Sequence, residues 1–185
     1  MEIVVASRRA SPAAHGRRWP GAAVVDVTSR GPEPWRRFSP FYPHGGIPVP
    51  GRAGTYAQSV EGLWQGLKVF EHEDTDPGKW EITSLRGIKR PAGGRRGAVR
   101  GHRFGQGEEA ALLAYGEARR RIYLPAYRWT LENRLGAELD ELRVLAARAP
   151  LVLLDYETNT DPDDLTRPLS HASLVKAFLE SGPLP

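Results

Sequence analysis

The chain has 185 residues, 40% of them hydrophobic, enough to bury one sizeable core, and it reads as a single domain over 1–185. It contains no cysteine, which excludes disulfide frameworks, thiolate metal sites and cysteine nucleophiles together. The formal net charge is +4. Its basic residues are segregated: Arg86, Lys89, Arg90, Arg95, Arg96, Arg100 and Arg103 follow one another with no acid between them. That composition suits phosphates or a nucleic-acid backbone, and equally a solvated loop.

At the N-terminus, Ile3, Val4, Val5 and Ala6 form an apolar run too short for a signal sequence. No stretch reaches membrane-spanning length, so the expectation is a cytoplasmic, soluble protein with no membrane partner. Two β-branched runs, 3–5 and 24–28, read as two short strands or one hairpin-like pair. Pro and Gly then forbid long regular structure over 31–54. This loop holds Trp35, Phe38, Phe41 and Tyr42, too many aromatics for a disordered linker, which points to function.

A helix is predicted over 59–70, with Ser59 as N-cap and Glu61 in the first turn, where its charge suits the helix dipole. Further helices are predicted over 108–123 and over 130–148, the latter from Leu131, Leu135, Leu139, Leu142 and Ala146 at helical spacing. Residues 151–154 read as a buried strand and 161–164 as an Asx turn. A last helix starts near Ser170, with His171 in its first turn, and stops at Gly182 and Pro183. The whole is α+β and mainly helical, with a few short strands packed on a helical core.

Oxygen-bearing residues alternate from Asp155 to Asp161 in the manner of a calcium loop. The glycine such a loop needs is Thr160, however, and its final carboxylate is Thr166. The five histidines show no metal spacing, so no metal is expected. Serine-hydrolase, NTPase and dinucleotide-binding motifs are missing, which removes those classes.

The helix over 59–70 carries the functional argument. On a wheel, Val60, Leu63, Trp64, Leu67 and Phe70 form the core side, and Glu61, Gln65 and Lys68 share a neighbouring stripe. A carboxylate, an amide and an ammonium beside an indole suit a pocket for a polar, ring-bearing substrate, or else a solvated face. Gly62 and Gly66 lie on the third side at a cost of about 1 kcal/mol each, which predicts a close neighbour there.

The run Phe38-Ser39-Pro40-Phe41-Tyr42-Pro43, then Tyr56, then Ser59-Val60-Glu61-Gly62-Leu63-Trp64-Gln65-Gly66-Leu67-Lys68, resembles the NADAR, or YbiA-like, N-glycosidases. Leu85-Arg86-Gly87-Ile88-Lys89 is similar to a further segment of that family. The likeness covers about 38–90. Gly62 stands where the family often has histidine and Pro40 where it has asparagine, and the C-terminal glycine-asparagine signature is missing.

The resemblance implies a single YbiA-like domain that hydrolyses a ribosyl C–N bond without cofactor or metal. The implied substrate is an ADP-ribosylated nucleobase, such as guanine in DNA or a nucleotide, or alternatively a phosphoribosylamino-pyrimidine of riboflavin metabolism. Glu61 is the implied catalytic carboxylate, and Asp155 occupies the place of a second one. Asp155 or Lys68 would protonate the leaving base, and Trp64 or Phe38 would stack on it. Ser39, Phe41, Gln65, Arg86 and Gly87 complete the substrate-binding set, with Arg86 and the Gly87 backbone on phosphate. The competing reading is a non-catalytic module that holds single-stranded nucleic acid or ADP-ribose through the basic segment 86–103 and the loop aromatics.

Overall fold

A computed structural model describes residues 2–107 and 110–181. In chain order the strands are β1 (Ile3–Ser7), β2 (Ala23–Asp26), β3 (Ile47–Pro48), β4 (Tyr56–Ala57), β5 (Lys68–Phe70), β6 (Val99–Phe104), β7 (Ala111–Leu113) and β8 (Leu151–Asp155). The helices are α1 (Pro12–Arg18), α2 (Val60–Leu67), α3 (Tyr115–Ala118), α4 (Leu124–Arg134), α5 (Gly136–Arg148) and α6 (His171–Ser181), with a π-helical stretch, Arg119–Tyr123, leading from α3 into α4. The fold is α+β, as the sequence predicts. The chain packs as two compact units. One combines the chain up to Ser39 with the chain from Leu131, and the other is Pro40–Thr130.

The first unit is built on a parallel sheet in the order β1-β8-β2. Leu151, Val152 and Leu153 are completely buried, which explains why β8 is wholly apolar: a central parallel strand has both faces covered. The N-terminal strands therefore form no hairpin pair. They lie on either side of β8, and parallel strands need a crossover, which α1 supplies. Ser11 caps α1 by accepting from the Ala14 amide, and Pro12 sits at its first turn, where a missing N–H costs nothing. The Pro/Gly/Arg composition of this stretch carries no helical periodicity, so α1 is not legible in the sequence.

Other boundaries differ from expectation for local reasons. The predicted helix 130–148 is broken at Leu135, whose non-helical backbone ends α4 before α5 begins. Leu131, Leu135, Leu139 and Leu142 are nevertheless all buried, so their spacing records burial and not an unbroken helix. Of the predicted helix 108–123, Glu108 and Glu109 lie outside the described residues, 111–113 is the strand β7, and helix starts at Tyr115. The last helix runs from His171 as expected, and its predicted stop at Gly182 and Pro183 lies outside the described residues. The Asx turn is present: Asp161 accepts from the Asp163 amide at 2.8 Å.

Asp155 closes the carboxyl end of β8. Its buried carboxylate accepts from the amides of Tyr156 (2.7 Å) and Ala172 (3.2 Å) and from the Ser170 hydroxyl (2.7 Å), and it pairs with His171 Nδ1 at 2.9 Å. The other ring nitrogen of His171 reaches the Val27 carbonyl at 2.9 Å, so one carboxylate and one imidazole join β8, the chain after β2, and the start of α6. Burial opposes charge on both groups. Attraction and hydrogen bonds outweigh it, leaving Asp155 below its ordinary value of 3.8 and His171 above its ordinary 6.5.

Breaking such a pair strands a buried charge. Asp155→Asn is expected to cost about 3 kcal/mol in urea unfolding. A raised histidine contributes fully below 6.5 and fades as pH rises through its folded value. A depressed aspartate contributes fully above 3.8 and is lost as pH falls through its folded value. The difference between wild type and Asp155→Asn should therefore be largest between those two pH values and shrink in alkali.

Candidate functional site

The second unit holds Glu61, and the geometry starts from its helix. Ser59 caps α2 by accepting from the Gly62 amide at 3.0 Å, and the Glu61 amide donates to the Pro40 carbonyl at 2.8 Å, which binds the helix start to the aromatic loop. The helix ends at Leu67, three residues earlier than predicted, and the chain turns directly into β5. Lys68 stays beside Gln65 because it is the helix C-cap.

Glu61, Gln65 and Lys68 form a continuous relay. Gln65 Nε2 donates to Glu61 Oε1 at 2.8 Å, and Gln65 Oε1 accepts from Lys68 Nζ at 3.0 Å and from the Arg90 amide at 2.9 Å. Two donors on one oxygen fix which way the amide points, so Gln65 can only offer its NH2 to Glu61. The second oxygen of Glu61 has no hydrogen-bond partner among the described residues. Burial pushes the Glu61 carboxyl above its ordinary value against the pull of Gln65, Lys89 and Lys68. Burial lowers the Lys68 ammonium, Glu61 raises it, and Arg90 and Lys89 add to the lowering.

The close neighbour expected at the two glycines is present. A Cβ on Gly62 would meet the Lys79 carbonyl at 2.6 Å, and one on Gly66 would meet Trp80 Nε1 at 2.0 Å. The 3-10 turn Pro77–Lys79 and the Trp80 indole lie against that side of α2.

The basic segment divides by role. Arg90 is 1% exposed, and its guanidinium donates to the carbonyls of Gln65 (3.0 Å), Lys68 (2.7 Å) and Asp74 (2.6 Å) and to the Glu73 carboxylate (3.0 Å). It thereby caps the C-terminal end of α2. Arg96 pairs with Glu73, Arg100 with Glu71, and Arg103 with Asp74, so the acidic stretch after α2 neutralises much of the basic one. Arg86 and Gly87 are exposed, the Gly87 carbonyl accepting from Lys79 Nζ at 2.8 Å. Lys89 lies 5.5 Å over the half-buried ring of Phe41.

Phe38, Ser39 and Asp155 belong to the first unit. Phe38 is fully buried against Trp35, with ring centroids 6.4 Å apart, so it offers no face to a base. Ser39 is also buried. Asp155 has both oxygens committed to the partners described above.

Three residues that carry no motif in the sequence stand beside Trp64 and Lys68. His102 on β6 faces Lys68 in the antiparallel register, and its ring stacks on Trp64 at a centroid distance of 3.6 Å. Tyr115 meets Trp64 edge-on at 6.1 Å, and Tyr123 does so at 5.7 Å. Arg100 is the extra residue of a β-bulge, since Val69 pairs with Gly101 and Phe70 with Val99. Trp64, Lys68, His102 and Tyr115 line a cavity of about 390 Å³. Burial, and secondarily the Lys68 charge, lowers His102 to about 3, so its imidazole is neutral at pH 7. Residues 99–104, Val-Arg-Gly-His-Arg-Phe, show no two-residue hydrophobic alternation, so no local signal places His102 on a strand.

A family model described as a family of unknown function, DUF6939, matches residues 7–175. Searches of curated proteins and of solved structures return no match.

Two outcomes test this packing. Gly66→Ala, which would stabilise an open helix, is expected to destabilise by about 1–3 kcal/mol in thermal unfolding, because the methyl meets the Trp80 ring. His102, depressed on folding, favours proton uptake by the unfolded chain, so stability should fall as pH drops from 6.5 toward 3. His102→Phe should flatten that acid limb in urea titrations at stepped pH.

Proposed function

The chain belongs to the DUF6939 family, and on its Glu61-Gln65-Lys68 relay we propose that it is an N-glycosidase hydrolysing a ribosyl C–N bond. The substrate we propose is an ADP-ribosylated nucleobase, of which guanine in DNA or in a nucleotide is the first candidate. The observation that carries the reading is the held carboxylate: one Glu61 oxygen is anchored by Gln65, and the other is left for water.

The chemistry asks for little more. The departing C–N bond leaves positive charge on the sugar, and a nearby carboxylate stabilises it while taking a proton from the attacking water. The bond pair goes to the leaving nitrogen, which takes a proton from Lys68, the amine whose affinity for that proton burial has lowered. Water's hydroxyl ends on the sugar and its proton on Glu61, and solvent exchange restores both groups. Trp64 supplies an aromatic surface for the base, and exposed Arg86 suits a phosphate. Neither a metal nor a cofactor has a role in this scheme.

A non-catalytic hold on nucleic acid through the basic segment is the second reading. Pairing of Arg96, Arg100 and Arg103 with acids, and burial of Arg90, weigh against it. Binding built on phosphate contacts would weaken steeply as salt rises, and hydrolysis of a small substrate would not.

The test is release of ADP-ribose from ADP-ribosylated guanine DNA and from the free nucleotide, compared for wild type and Glu61→Gln. The variant should be slower by about 10²–10⁴-fold, and equal turnover would remove Glu61 from the chemistry. Because Glu61 acts deprotonated and Lys68 protonated, the rate should rise with pH through the raised Glu61 value, above 4.5, and fall through the lowered Lys68 value, below 10.5. Lys68→Met should abolish the alkaline limb.

A further inference from the structure

Among the described residues, the cavity beside Trp64 is lined by two cations, Lys68 and Arg100, and by no carboxylate. Both cations have donors to spare. The Lys68 ammonium carries three N–H groups and commits one to Gln65, and the Arg100 guanidinium carries five and commits one to Glu71. The Arg100–Glu71 pair is half exposed, a class of contact that adds little in water, so the guanidinium can keep Glu71 and still donate into the cavity. Arg100 reaches the cavity as the extra residue of the bulge between β5 and β6, where strand alternation breaks and a side chain is re-aimed. Lys68 is short of negative neighbours: burial and the charges of Arg90 and Lys89 all disfavour its ammonium, and Glu61 alone favours it.

The rest of the lining is mainly apolar. Trp64, Val99, Ala114 and Tyr115 supply it, with Val99 44% and Tyr115 41% exposed. The Arg119 guanidinium lies over the Tyr115 ring at 4.9 Å, so the exposed surface of that ring is its remaining part. His102 adds ring surface only, since both of its nitrogens are sealed by packing. A volume of about 390 Å³ lies at the low end of the range of about 300–1,000 Å³ typical of small-molecule sites, which is room for one or two rings. Indole and phenol walls suit a flat ring. Lys68 and Arg100 less Glu71 leave a single positive charge, which matches a monoanion; a dianion would keep an uncompensated charge against apolar walls.

We propose that this cavity binds an aromatic monocarboxylate, its carboxylate held between Lys68 and Arg100 and its ring laid against Tyr115, Val99 and Ala114. The inference goes beyond the N-glycosidase reading. Trp64 and Lys68 serve both, so the acid competes with a leaving base for the same wall, but its binding needs no turnover.

Calorimetric titration of 2-naphthoate, its neutral counterpart 2-naphthamide and inorganic phosphate into the wild-type protein at pH 7 tests this. Naphthoate should bind at least about tenfold more tightly than the amide, because charge-assisted hydrogen bonds are the stronger ones, and more tightly than phosphate. Lys68→Met should weaken naphthoate about tenfold and Arg100→Gln about threefold. Val99→Asp, which sets a like charge beside the carboxylate, should weaken it at least about tenfold. Near-UV circular dichroism shows that each variant keeps its fold. Equal affinity for acid and amide, phosphate binding more tightly than naphthoate, no naphthoate binding at millimolar concentration, or unchanged affinity in folded Lys68→Met would overturn the proposal. Where Lys68→Met does not fold, the two exposed positions carry the test, and unchanged affinity in both Arg100→Gln and Val99→Asp overturns it equally. If naphthoate binds as expected while ADP-ribose release fails, only the hydrolytic reading falls. If release proceeds and naphthoate does not bind, only the carboxylate assignment does.

Discussion

Everything in the second unit depends on the orientation of one buried amide. Gln65 gives its NH2 to Glu61, receives Lys68 and the Arg90 backbone on its side-chain oxygen, and receives the Arg90 guanidinium on its carbonyl. None of these can be exchanged without stranding a buried donor or acceptor, and the low dielectric that makes such stranding expensive also strengthens the bonds that form. The carboxylate and the ammonium are thus held one amide apart, close enough to share an electrostatic environment and too far apart to neutralise each other by contact.

That arrangement needs a helix packed tightly on the side away from the relay. Gly62 and Gly66 allow the Pro77–Lys79 turn and Trp80 to approach to distances that no side chain would permit. Arg90 then fastens the C-terminal carbonyls of α2 to the acidic stretch that follows β5. The acids of that stretch also engage Arg96, Arg100 and Arg103, and the charges that act on Glu61 are Lys89 and Lys68. A basic segment that looks in the sequence like a ligand-binding surface is in large part the counterion of its own neighbour.

The first unit solves a separate problem with similar chemistry. Asp155 and His171 share a charge-assisted contact at the carboxyl end of a parallel strand, where the backbone after β2 and the first turn of α6 both need partners. A carboxylate with four such partners is a fastening, and its residue type alone does not make it a second catalytic acid. In the proposed hydrolysis proton donation to the leaving group falls to Lys68, whose ammonium has a single hydrogen-bond partner among the described residues.

What the sequence determines by itself is whatever depends on near neighbours along the chain. The α+β class, the buried strand at 151–154, the Ser59 cap and the Glu61-Gln65-Lys68 stripe follow from periodicity and capping, since residues three and four apart on a helix meet whatever surrounds it. The two glycines even announce a close approach, because their cost within a helix requires a reason. What the sequence leaves open is which partners those residues find across long separations. Only tertiary packing sets Trp80 against Gly66, turns Arg90 inward as a cap, commits Asp155 to His171, buries Phe38, and lays His102 on Trp64. Each of those outcomes compares desolvation with pairing at one point in space, and residue type and spacing carry no measure of either until the chain has folded.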